Sequence, residues 1–167
     1  MNLQFLENIN GKETNFKAKI WAGIYSDNHS GMSLDERPDF FISKIPEPNG
    51  FWTAFKPKIH TIRQDKKNRW SEGQLIHFKT WEGRPHHSKN IEIAPAMRVK
   101  SVQKIELKFY RKTNKLLMLL VDDKNLGLSE IHKLAINDGF EDIESMIAYL
   151  GRNFSGKIIH WTDFSYQ

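Results

Sequence analysis

The segment Lys58-Ile59-His60-Thr61-Ile62-Arg63 places a lysine, a hydroxyl and a guanidinium within six residues. A threonine hydroxyl becomes a nucleophile only when a neighbouring base takes its proton. A lysine can be that base when desolvation or a nearby cation, such as Arg63, lowers its pKa. The same residues also read as a basic strand end facing solvent. In an ideal strand Thr61 and Arg63 share a face, whereas Lys58 has the opposite parity to Thr61. Convergence therefore needs a bulge near Ile59, or Lys58 on the preceding loop, where Pro57 would suit it.

Other chemistries find less in the chain. There is no cysteine, which excludes disulfides, thiolate catalysis and cysteine-based zinc sites. Of the seven histidines, His86 and His87 are adjacent in a loop, and no helical His-x-x-x-His spacing exists. No metal and no cofactor are expected. His60, His77 and His160 fall on predicted strands, where a satisfied structural histidine is the plain reading. No Gly-rich phosphate loop and no Gly-x-Ser-x-Gly elbow is present.

The elements that must position these groups can be read from periodicity. Leu3–Leu6 reads as a first strand, followed by a turn at Gly11. A helix is predicted from Thr14, its candidate N-cap, through Phe16, Ile20 and Ile24, with Gly23 near its end. Residues 25–55 carry Gly31, Pro38, Pro46, Pro48 and Gly50 and read as a loop-rich insertion. Within it Phe40–Ile42 suggests a short strand, and Phe51–Phe55 a segment packing back on the body. Strands follow at Ile59–Arg63, Gln74–Trp81, Ala96–Phe109 and Leu116–Val121. Ser129 opens a helix that Asp138-Gly139 ends, Glu141–Leu150 forms another, and Lys157–Trp161 a last strand. The order predicts one α+β domain over 1–167 with a largely antiparallel sheet or small barrel.

Composition supports a globular chain with 39% hydrophobic and 12% aromatic residues. The N-terminus shows no signal-peptide pattern. The longest strongly apolar run, Leu116–Val121, is six residues, too short to cross a bilayer, so a cytoplasmic protein without membrane contact is expected. The net charge of +5 is unevenly spread: residues 56–115 hold 16 Lys/Arg against 5 Asp/Glu. A basic middle suits phosphate or another polyanion, and reads equally as a solvated basic face. Lys66, Arg69 and Arg63, with His60, are the candidate ligand contacts. Trp70, Trp81 or Trp52 could stack on a base, although Trp70 and Trp81 equally suit core packing.

The pattern Lys58-x-x-Thr61-x-Arg63, then Trp70-x-x-Gly73-x-x-Ile76-x-Phe78, resembles the signature strand pair of ASCH domains, of the PUA-like superfamily. Leu134-Ala135-x-x-Asp138-Gly139-Phe140, a helix, and Gly156-x-Ile158-Ile159-His160-Trp161 resemble that family's closing half. Phe16, Ile20 and Gly23 fit its first helix, and only 25–55 stands outside as an insertion. The resemblance implies a small, mostly antiparallel β-barrel with flanking helices and a cleft for RNA, a nucleotide or a modified nucleoside. One branch, the bacterial 4-acetylcytidine amidohydrolases, uses a threonine, a lysine and a glutamate. By position these would be Thr61 as nucleophile, Lys58 as base and Asp138 in place of the glutamate, with Arg63 lining the site. The chain departs from the family at Lys56, where a glycine is usual, and at Asp138, one methylene shorter than glutamate. A third reading makes 25–55 a protein-interaction surface.

Overall fold

The computed structural model describes residues 1–26, 55–110 and 116–167. The predicted features at Phe40–Ile42, Phe51–Ala54 and Trp52, and the proposed 25–55 partner surface, lie almost wholly outside these residues.

The larger sheet is antiparallel throughout. It is built from β4 (His60–Arg63), β8 (Ser101–Phe109), β9 (Leu116–Val121), β10 (Lys124–Asn125) and β11 (Ser155–His160), ordered β10-β9-β8-β11-β4. A smaller sheet pairs β1 (Asn2–Gln4) in parallel with β5 (Leu75–Trp81), and β5 antiparallel with β6 (Asn90–Glu92) and β7 (Met97–Arg98). β2 (Asn8–Ile9) and β3 (Lys12–Glu13) make a short hairpin. With α1 (Phe16–Ser26), α2 (Leu128–Asn137) and α3 (Ile143–Leu150), the fold is α+β and mostly antiparallel. Among the described residues the sheets do not close into a barrel.

The single strand predicted over Ala96–Phe109 is two. Met97 and Arg98 pair with β5, whereas from Ser101 onward the chain pairs with β11. Between them Val99 N–H donates to the Gln74 carbonyl and Lys100 N–H to the His160 carbonyl. One extended stretch thus passes from one sheet to the other, and the apolar alternation slips there by one residue, from Val99 to Val102.

Alternation along β4 and β11 feeds two cores. Ile62 and Ile158, paired in register, join a cluster with Ile105, Leu107, Leu134 and Met146. Thr61 pairs with Ile159, which belongs to the other cluster, with Phe5, Phe16, Phe78 and Trp161. Strand β4 therefore lies between two apolar bodies, which is why Thr61 and Ile62 are both buried.

Three helix boundaries differ from the sequence reading. The Thr14 hydroxyl accepts the Phe16 N–H at 3.4 Å, but the first helical carbonyl is that of Asn15, which bonds Lys19 N–H at 2.9 Å. α2 begins at Leu128, ahead of Ser129, with the Glu130 carboxylate reaching back to the Gly127 N–H at 2.8 Å. α1 does not stop near Gly23 but runs on to Ser26. Gly23 serves packing instead: a Cβ there would lie 2.4 Å from the Lys58 carbonyl oxygen. Its missing side chain lets the segment before β4 cross the helix closely enough for Lys58 N–H to reach the Lys19 carbonyl at 2.8 Å.

Candidate functional site

Lys58 sits on the loop that enters β4, the second of the two placements that allow it to escape strand parity. Two backbone bonds hold that loop, Lys58 N–H to Lys19 in α1 and Ile59 N–H to Asn137 at the end of α2, 3.0 Å. The end of α2 is shaped to receive it. Asp138 is the C-cap, Gly139 follows at φ +88°, Gly139 N–H bonds the Ile136 carbonyl and Phe140 N–H the Ala135 carbonyl. This is a Schellman closure, and glycine is required at its left-handed position. It turns both the carboxylate and the carbonyl of Asp138 toward β4.

The Lys58 ammonium meets the Asp138 carboxylate at 2.6 Å and also bonds the Asp138 carbonyl. The same carboxylate oxygen accepts the Ile62 N–H at 3.1 Å. The rings of Phe16 and Phe5 flank the ammonium at 4.9 and 5.7 Å. Lys58, Thr61 and Asp138 are 1%, 3% and 2% exposed. Burial lowers the Lys58 pKa to about 8; Asp138 pulls it up against that trend, while Arg63 and Lys19 push it further down. Burial acts to raise the Asp138 pKa, but Lys58 and His60 outweigh it and hold the carboxyl below its usual range.

Arg63 shares the Thr61 face. Its guanidinium lies 5.0 Å from the centre of the Phe5 ring and donates to the Gln4 carbonyl at 2.6 Å. Phe5 is therefore clasped between Lys58 and Arg63, and the Arg63 side chain spans from β4 to β1. Thr61 makes no hydrogen bond with Lys58. The residues brought together are thus Lys58, Asp138, Arg63 and His60, with Thr61 on the intervening strand.

His60 is fully buried on the other face, opposite His160, with ring centres 5.1 Å apart. Its Nε2 lies 2.9 Å from the Tyr166 hydroxyl, which accepts from Asn137 at 3.1 Å. Its Nδ1 has no hydrogen-bond partner among the described residues and lies 3.7 Å from the Asp138 carboxylate. Burial lowers the His60 pKa, and burial with the nearby His60 lowers that of His160 to about 3. Neither His160 ring nitrogen has a hydrogen-bond partner among the described residues. Gln103 fixes Tyr166 by bonding its backbone N–H and carbonyl, each at 2.8 Å.

Lys66, Arg69 and Trp70 lie beyond β4 on the connection to β5. Asp65 organises this turn: its buried carboxylate accepts the backbone N–H of Arg69 at 3.0 Å and of Trp70 at 3.2 Å. Burial tends to raise its pKa, but those bonds and the Arg69 charge outweigh it and lower it. Lys66, Lys67 and Arg69 are left exposed around a shallow depression of about 250 Å³. Trp70 packs half-buried against the first core with its indole N–H shielded, and Trp81 faces the His86 ring at 5.0 Å.

The sequence reading missed Asp65, Asn137, Gln103 and Tyr166. Asp65 carried a local signal, an aspartate opening a polar turn. Tyr166 carried none, because only the sheet order brings it to His60. Among the described residues no three His, Asp or Glu side chains are grouped to hold a metal, and no helix is long and apolar enough to cross a membrane. Comparison of the chain with protein-family models, curated proteins and solved structures finds no match.

Asp138→Asn leaves the Lys58 charge buried without its counter-ion and should cost about 3–5 kcal/mol in denaturant unfolding. Adding Lys58→Met to that variant should recover a large part of the loss. The acid limb of stability should show His160. Its folded pKa is near 3 against an unfolded 6.5, so the unfolded chain binds the extra proton between those values. Stability then falls as pH drops from 6.5 toward 3, and His160→Leu should flatten that limb by about 1.4 kcal/mol per pH unit.

Proposed function

We propose that this chain binds RNA or a nucleotide-bearing ligand through the turn Lys66–Arg69 and the adjoining end of β4. The observation that carries the reading is the inward turn of Asp65. Its carboxylate is spent on two backbone donors and on Arg69 Nε at 3.7 Å, so the turn presents Lys66, Lys67 and the outer end of Arg69 without an exposed carboxylate of its own. Three cations on a fixed backbone suit successive phosphates. The resemblance to ASCH domains points the same way. The passage of β7 into β8 between sheets, and the Arg63 bridge from β4 to β1, are what a small PUA-like barrel would use to complete its wall. In this reading Arg63 and the ring faces near β4 border the ligand, and Thr61 and Lys58 lie behind them.

Fluorescence anisotropy with single-stranded RNA tests it. Affinity should fall steeply with salt, and Lys66→Ala, Lys67→Ala and Arg69→Ala should each reduce the log–log salt slope by about 0.7. An unchanged slope in the triple variant would overturn the assignment.

A second reading, a small amidohydrolase acting on an acylated nucleoside such as 4-acetylcytidine, is favoured by one observation: Asp138 does reach Lys58, whose pKa is lowered to about 8. The Thr61 hydroxyl would attack the acetyl carbonyl and pass its proton to neutral Lys58. The cytosine amine would leave with that proton, and water would then release acetate from the acyl-threonine. It ranks second because Asp138 occupies the Lys58 ammonium and no hydrogen bond joins it to Thr61. Acetate release should rise with pH to a plateau above about 8 and vanish in Thr61→Ala. Full activity of that variant excludes the mechanism.

A further inference from the structure

A cavity of about 320 Å³ lies away from the basic turn, between the β2–β3 hairpin, the first turns of α1 and the α2–α3 connection. Its size suits a small organic molecule. One part of the wall is apolar, formed by Ile9, Phe16 and Phe140, the two rings meeting edge-on at 6.3 Å. The polar part carries both signs of charge. Half-buried Lys19 donates one hydrogen bond, to the Gly139 carbonyl at 2.8 Å, and its other two N–H groups have no partner among the described residues. Glu13 and Glu144 stand exposed at the rim, and neither forms an ion pair among the described residues. Lys12 and Glu141, also lining the cavity, face each other at 3.9 Å.

These charges discriminate between ligand classes. A polyanion would be repelled, since three carboxylates face two ammonium groups. A simple apolar acid would satisfy Lys19 but leave Glu13 and Glu144 facing its carboxylate. A simple amine would satisfy the glutamates and be opposed by Lys19. We propose that the cavity binds a small zwitterion with an apolar body, of the class of a free apolar α-amino acid. Its carboxylate takes the two open donors of Lys19, its ammonium faces Glu13 and Glu144, and its side chain lies on Phe16, Phe140 and Ile9. The site is independent of the proposed RNA contact.

Titration calorimetry of the full chain with L-leucine, 4-methylpentanoate and 3-methylbutylamine separates the cases. Leucine should bind saturably, and each analogue, lacking one charge, about tenfold more weakly. Lys19→Met should weaken leucine about tenfold and leave the amine unweakened, while Glu13→Gln with Glu144→Gln should do the reverse for the acid. Circular dichroism confirms that these variants fold, and Lys66→Ala with Arg69→Ala should leave leucine binding unchanged. No saturable heat with leucine up to roughly 10 mM, or equal affinity in folded Lys19→Met, overturns the proposal. So does 4-methylpentanoate binding as tightly as leucine, which would make this a site for apolar acids.

Discussion

The rest of the molecule is arranged around a buried ion pair, Lys58 with Asp138. Removing two charges from water costs several kcal/mol each, and their attraction offsets this only when the remaining donors and acceptors are met. Here backbone groups meet one more on each side. The Asp138 carbonyl takes a second N–H of the ammonium, and the Ile62 N–H takes up the carboxylate. The pair thereby pins three elements: the loop before β4, the strand itself and the end of α2. Each glycine nearby serves the same approach. Gly139 gives the left-handed residue that aims Asp138, and Gly23 lets the Lys58 backbone lie against α1.

Such a pair confers specificity of arrangement at least as much as stability. Apolar packing alone, of Ile62 against Ile105 and Leu134, would accept many registers of β4. A lysine that must find one carboxylate accepts one. Asp138 also sees His60 from the other side, so the carboxylate stands where the two apolar clusters approach each other across β4.

Much of the fold was legible from spacing. The alternation at Leu75–Trp81 and the helical stripe ending at Leu150 survive as β5 and α3, because each has one buried face. The break between β7 and β8 left only a faint trace, the three-residue step from Val99 to Val102 in an otherwise alternating run. Gly23 misled for a related reason: the same residue type ends helices and admits close backbones, and only the crossing segment decides which. At the site, Lys58 and Asp138 were nameable from the sequence through a resemblance, and the contact between them stands in the structure. Tyr166 and Asn137 were not nameable, because a hydrogen bond linking residues 137 and 166 leaves no local trace.

The order of the larger sheet has a consequence for how the chain is made. β11 lies between β8 and β4 and, among the described residues, supplies every sheet hydrogen bond that β4 makes. A chain emerging from the ribosome therefore holds His60–Arg63 without this partner until residues 155–160 have been synthesised. β8, β9 and β10 can assemble meanwhile as a local meander. The basic character of the stretch around β4 then has a use before any ligand is met: like charge disfavours edge-to-edge pairing between copies of a strand whose own partner has yet to be made.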